Sequence, residues 1–231
     1  MDNGNPWLES FERDGYTIIP DIFSSVETDE VALRIQNANF PRSRAGARHL
    51  MHYEFISAIA GDARLMAVVR GILGPTALPF RATLFDKSPD ANWLITWHQD
   101  TALPLRERKE ITGWGSWSLK DGVHYAHAPE DALRNILALR LHLDDSTMEN
   151  GPLRVLPGSH KKGLLSDEEV GNYSRNTSPV DCLVNKGGVI AMRPLLIHAS
   201  SKSVNDVPRR VLHFEYARAL SMADGLELEV V

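Results

Sequence analysis

The sequence is poor in the residues that would carry several common functions. It has a single cysteine, Cys182, in 231 residues, which excludes an intramolecular disulfide and a thiolate-built metal site. Any metal must then be held by nitrogen and oxygen, which points toward iron, manganese or zinc at histidine and carboxylate. No apolar run approaches the roughly 20 residues of a membrane-spanning helix. The start, "MDNGNPWLESFERDG", lacks the basic and apolar blocks of a secretory signal. A cytoplasmic location is therefore expected, with no membrane partner. Basic residues are outnumbered, 25 Lys and Arg against 30 Asp and Glu for a net charge of -5, so nucleic acid is not expected as a partner either.

What remains is ordinary for a soluble enzyme: 43% hydrophobic residues, 24% charged, and nine histidines. The length suits one generous core, and a single domain over residues 1–231 is expected, as a monomer or weak homodimer. Residues 1–77 read as mainly helical support. Ser24 and Glu27 form a capping box before "VALRIQNA", and Leu65, Val68, Val69 and Leu73 make one apolar stripe before Gly74-Pro75. From Leu78 to about residue 218 the pattern changes to short alternating runs broken by turn signals, which indicates a β-sandwich or barrel.

Alternation assigns faces. In "ILALRLHL" (136–143), Leu137, Leu139, Leu141 and Leu143 share one face, and Arg140 and His142 lie on the other. In "RRVLHFEYA" (209–217), Leu212, Phe214 and Tyr216 oppose Arg209, His213 and Glu215. Both strands suit a barrel with apolar packing outside and a polar cavity within. Residues 101–135, rich in Gly, Trp and His without clear period, read as an irregular pocket wall, with Trp114 and Trp117 as candidate substrate contacts beside His142.

"NWLITWHQDTALP" (92–104) reads as a buried strand ending in His98 and Asp100. Two residues apart on a strand, these side chains face the same point while Gln99 looks away. His198, at the polar end of another β-like run, is the candidate third ligand. Two histidines and one carboxylate leave open positions, the arrangement of non-haem Fe(II) oxygenases. Those positions suit 2-oxoglutarate and O2, and Arg209, at the start of the next strand, can hold the distal carboxylate in a bidentate pair.

Three segments together, "WHQD", "ENGPLRVLPGSHKKG" and "PLLIHASSKSVNDVPRRVLHFEYA", resemble the phytanoyl-CoA dioxygenase family of Fe(II)- and 2-oxoglutarate-dependent oxygenases. The resemblance implies a double-stranded β-helix, a cupin-like jelly-roll barrel flanked by N-terminal helices. It implies iron at His98, Asp100 and His198, and 2-oxoglutarate at Arg209 and Ser200. Thr83 would line the cosubstrate pocket, with Arg48 a further contact. Arg140 departs from the peroxisomal member of the family, which has an aromatic residue there, and could help bind a carboxylate, face an acidic substrate or pair internally with an aspartate. The implied activity is hydroxylation of an unactivated C–H bond of a small-molecule substrate, with release of succinate and CO2.

Rival readings stay open on the residues alone. The same triad with zinc or manganese could serve a hydrolase or isomerase, and a barrel of this kind could bind a small molecule without turnover. His124 and His127 form an HxxH that resembles a zinc pair, His160 reads as structural, and "RERK" (106–109) reads as a solvated loop.

Overall fold

A computed structural model describes residues 6–43, 46–88, 91–222 and 225–231. In chain order the helices are α1 (Pro6–Asp14), α2 (Ser25–Asn37), α3 (Glu54–Ala60), α4 (Ala63–Leu73), α5 (Glu130–Leu133) and α6 (Asp167–Arg175). The first strands are β1 (Tyr16–Ile19), β2 (Gly46–Ala47), β3 (Leu78–Lys87), β4 (Ile95–His98), β5 (Ala102–Leu105), β6 (Gly115–Lys120) and β7 (Val123–His127). They are followed by β8 (Ile136–His142), β9 (Leu153–Val155), β10 (Val180–Cys182), β11 (Val189–Met192), β12 (His198–Ser200) and β13 (Arg209–Ala217).

Two antiparallel sheets form the barrel, one in the order β1-β11-β8-β13-β3-β2 and the other β10-β9-β12-β4. The expected helices are present. Ser24 and Glu27 make a reciprocal capping box on α2, and the α4 stripe of Leu65, Val68, Val69 and Leu73 is buried. That stripe packs with Leu137, Leu139, Leu141, Leu212, Phe214 and Tyr216, so the outer faces of β8 and β13 rest on the helices as alternation requires. Their inner faces carry the polar groups. A second apolar cluster, including Ala138, Leu153, Val155, Ile190, Met192 and Leu196, closes the space between the sheets.

Residues 1–77, where described, are mainly helical, and two short strands not expected there, β1 and β2, complete both edges of the larger sheet. Two expectations need correction. "NWLI" is not a buried strand: Leu94 is exposed and the strand begins at Ile95. Residues 101–135 are not irregular but form a third sheet, β5-β7-β6, followed by α5. Its β6–β7 hairpin turns on Asp121 and Gly122, both with positive φ, the combination that a tight turn between right-twisted strands requires. The chain after β13 returns to the barrel, where Val231 exchanges backbone hydrogen bonds with Phe80 and Ala82. No helix among the described residues is long and apolar enough to cross a membrane.

Candidate metal and cosubstrate site

The site begins with a ladder. His198 on β12 is the direct cross-strand partner of His98 on β4, and the two imidazole centroids lie 4.2 Å apart. Asp100 follows just beyond the end of β4, its backbone N–H donating to Pro194. Its carboxylate oxygens lie 3.6 Å from His98 Nε2 and 3.5 Å from His198 Nε2. Among the described residues these three make the one cluster able to hold a metal ion, with all ligand atoms within 4.8 Å of one another.

Orientation is set by the backbone. His98 Nδ1 is 2.8 Å from the Thr96 carbonyl and His198 Nδ1 is 2.9 Å from the Leu196 carbonyl. A carbonyl only accepts, so each Nδ1 carries the proton and each Nε2 is left as a lone-pair ligand directed at Asp100. Gln99 does look away. Its amide donates to the Gly163 and Leu195 carbonyls and accepts from Leu165 N–H, which pins the chain between the two ligands.

Electrostatics agrees with metal binding. Burial opposes ionisation of Asp100, yet the imidazoles of His198 and His98 outweigh it and hold the carboxyl well below its usual range. Burial pushes His198 down to about 4 despite Asp100, so it is neutral at physiological pH. Burial opposes protonation of His98, but the hydrogen bond and charge of Asp100 outweigh it and raise its pKa. A divalent cation such as Fe(II) would compete with that proton for His98 Nε2 and take the carboxylate and both imidazoles as its donor set.

Beside the triad lies a cavity lined by Phe85, Trp93, Arg140, Leu153, Ser200 and Arg209, among others, together with the three ligands. Arg209 is buried. Its Nε donates to the Asn150 carbonyl and its Nη2 to Ser200 Oγ, while Nη1 has no hydrogen-bond partner. Lys87, also buried, donates to Ser200 Oγ at 2.9 Å and to the Ser201 carbonyl. Burial, with Arg209 and Arg140 adding to it, lowers Lys87 to about 7. Arg140 donates to His213 Nδ1 and leaves Nε unpartnered. Three buried cations without a carboxylate partner among the described residues cost free energy unless an anion joins them. Arg140 is thus not paired with an aspartate, and His142 is not satisfied by His213, since both ring nitrogens of His142 lack a partner.

The "ENGP" turn proves part of this site. Asn150 is fully buried, accepts from Thr147 N–H and donates to Asp145, and its own carbonyl holds Arg209. The Gly151 carbonyl accepts from Ser200 Oγ. Gly151 sits at φ +68, and a Cβ there would run into the Ser201 carbonyl oxygen and Lys87 Nζ.

Other candidates fall elsewhere. Trp114 and Trp117 pack in a separate apolar cluster with Phe80, Leu103 and Leu228, not among the residues lining the metal cavity. Thr83 lies on the inner face of β3 opposite His213, outside that lining. Arg48 borders a different cavity, with His49, His52 and Asp121. His124 and His127 lie on β7, where His127 meets Thr101 Oγ1, and His160 packs against Gly15. The "RERK" residues make exposed ion pairs, Arg106 with Glu227, Lys109 with Glu107 and Arg108 with Glu110.

Comparison with known proteins is consistent with this geometry. The phytanoyl-CoA dioxygenase family model matches residues 11–211. The chain belongs to that family. It is an Fe(II)- and 2-oxoglutarate-dependent dioxygenase in kind. Among curated relatives, ectoine dioxygenase of Stutzerimonas stutzeri is 23% identical over 90% of this chain and 75% of its own length. L-proline trans-4-hydroxylase of Streptomyces griseoviridis is 26% identical, covering 90% of this chain and 84% of its own. The apo structure of EctD from S. alaskensis superposes with a TM-score of 0.70 at 24% identity, over 94% of this chain and 79% of that one. HygX from Streptomyces hygroscopicus, solved with nickel and 2-oxoglutarate, gives 0.65 at 20% identity, over 92% and 86%. These likenesses are to the jelly-roll fold.

Proposed function

We propose that this dioxygenase hydroxylates an unactivated C–H bond of a small-molecule metabolite while 2-oxoglutarate is converted to succinate and CO2. One observation carries the reading. The same cavity holds a facial set of two imidazole Nε2 atoms and a carboxylate, and an orphaned guanidinium N–H at Arg209.

His98, Asp100 and His198 would bind Fe(II), and the bound metal with 2-oxoglutarate supplies the activation of O2. The protein's own work is positioning. Arg209 Nη1 offers the free donor for the distal carboxylate, with Ser200 and Lys87 beside it in a dry pocket where charge-assisted hydrogen bonds are strong. Arg140 adds a fixed cation in the same cavity, and Thr83 extends the inner wall of β3. Phe85, Trp93, Ile95 and Leu153 line the space around them and keep water out.

A hydrolase or isomerase using the triad would need neither Arg209 nor oxygen. Measuring dioxygen consumption and succinate formation from 2-oxoglutarate with added Fe(II), across a panel of small metabolites, separates the readings. Uptake of O2 matched one to one by succinate supports the proposal. Product formation without O2 uptake contradicts it.

A further inference from the structure

Arg209 and Lys87 lie at one end of the inner faces of β13 and β3, and the other end of those faces carries a second group of charges. Arg81 on β3 and Glu215 on β13 are direct cross-strand partners and form a buried ion pair. Arg81 Nη1 also donates to the Ala102 carbonyl, two residues after the metal ligand Asp100. The Arg81 guanidinium lies 5.8 Å from the centre of the Tyr125 ring, and Lys120 Nζ lies 4.7 Å from that centre. Tyr125 OH in turn is 2.8 Å from His49 Nε2. His49 holds φ +61, an uncommon left-handed conformation for a side chain of its size. Its neighbour Arg48 borders a cavity of about 550 Å³ with Arg42, His49, His52, Tyr53 and Asp121.

Around Tyr125 the positive charges of Arg48, Arg81 and Lys120 face two carboxylates, Glu215 on Arg81 and Asp121 near His49, which leaves one positive charge over. Glu215 is committed to Arg81, and Arg42 to Asp86 at 2.5 Å. Arg48 and Lys120 have no carboxylate within ion-pair distance among the described residues. Burial and the fields of Arg48 and Arg81 already press on the Lys120 ammonium and lower its pKa. The Asp121-Gly122 turn places Lys120 at the end of β6, and its ammonium lies over the Tyr125 ring.

We propose that Arg48 and Lys120, gathered with the Arg81–Glu215 pair around Tyr125 and His49, are the specificity subsite of the enzyme and take an anionic group of the substrate, a carboxylate or a phosphate. This rests on the oxygenase reading above. The link to the triad is Arg81, which bonds the chain two residues beyond Asp100; with Arg209 and Lys87 at the cosubstrate end of β13 and β3, the Tyr125 cluster would anchor the substrate from the opposite end of the same two strands. Such an anchor holds the substrate by a remote group and presents its carbon chain toward the iron.

The test uses the protein loaded anaerobically with Fe(II) and 2-oxoglutarate, so that the visible band of the loaded complex first establishes the oxygenase core independently. Hexanoate, hexyl phosphate and hexan-1-ol are then titrated calorimetrically as probes. Saturable binding of either anion is expected, with the alcohol at least about tenfold weaker, and Lys120→Met and Arg48→Gln should each weaken the anion about fivefold or more. 2-Oxoglutarate affinity of both variants should be unchanged, which shows that they are folded. The stronger of the two anions identifies the headgroup. The subsite assignment is overturned if the loaded protein binds neither anion, binds the alcohol equally well, or binds the anions equally in the variants.

Discussion

His98 and His198 are cross-strand partners on β4 and β12, and each is turned by the carbonyl two residues earlier in the chain so that Nε2 faces Asp100. The metal site is thus a property of strand register: a one-residue slip of β4 would send His98 to the other face.

Gln99 should be a positioning residue for the ligands on either side. Its three buried hydrogen bonds tie β4 to the Gly163–Leu165 segment and to Leu195. Gln99→Leu leaves two carbonyls and one N–H unsatisfied, a cost of about 2–4 kcal/mol. Chemical denaturation should show that loss, and the Fe(II) affinity of the folded fraction should fall as well.

Arg209→Met should separate binding from stability. Removing the donor of the distal carboxylate should raise the 2-oxoglutarate Kd by about 10- to 100-fold, the worth of a charge-assisted bidentate pair. Stability of the protein without cosubstrate should be unchanged or higher, because a buried, incompletely paired cation is replaced by an apolar chain of similar length. Calorimetry and a thermal melt on one preparation check both halves.

Lys87 should couple cosubstrate binding to proton uptake. Burial lowers it to about 7 in the empty site, and an arriving carboxylate raises it again. Binding is then tightest below about pH 7 and weakens as pH rises above it, as the neutral amine must regain a proton. Calorimetry at pH 8 in buffers of different ionisation enthalpy should show net proton uptake, absent in Lys87→Met.

Gly151→Ala tests the turn behind the anchor. A side chain at φ +68 and a clash with the Ser201 carbonyl should cost about 1–3 kcal/mol and loosen the Arg209–Asn150 contact. Both the melting temperature and the affinity for 2-oxoglutarate should drop. Gly122→Ala, also at positive φ but with open space at its Cβ position, should lower stability alone.

Much of this site was legible because alternation and capping are local. The faces of β8 and β13, the α2 capping box and the α4 stripe depend on spacing alone, and so does the convergence of His98 and Asp100. Where contacts are long-range, local pattern fails. β1 and β2 pair with β11 and β3, far away in sequence, and nothing within a four-residue or two-residue strand announces that. The third sheet had a local signal, Asp121-Gly122, but the surrounding Gly and Trp masked the period. Lys87 is charged and yet fully enclosed, and only the tertiary fold reveals that Ser200 and Arg209 lie beside it. Trp114 and Trp117 lie in an apolar cluster with Phe80 and Leu103, a packing role that aromatic content alone does not distinguish from recognition.

The central claim is that iron held by His98, Asp100 and His198 shares its cavity with 2-oxoglutarate. The most direct measurement is the visible absorption of the protein mixed anaerobically with Fe(II) and 2-oxoglutarate. A metal-to-ligand charge-transfer band that saturates at one equivalent of each, and is lost in His98→Ala and Asp100→Ala, is the predicted result. No band from protein that binds one equivalent of Fe(II), or a band that survives in Asp100→Ala, would contradict it.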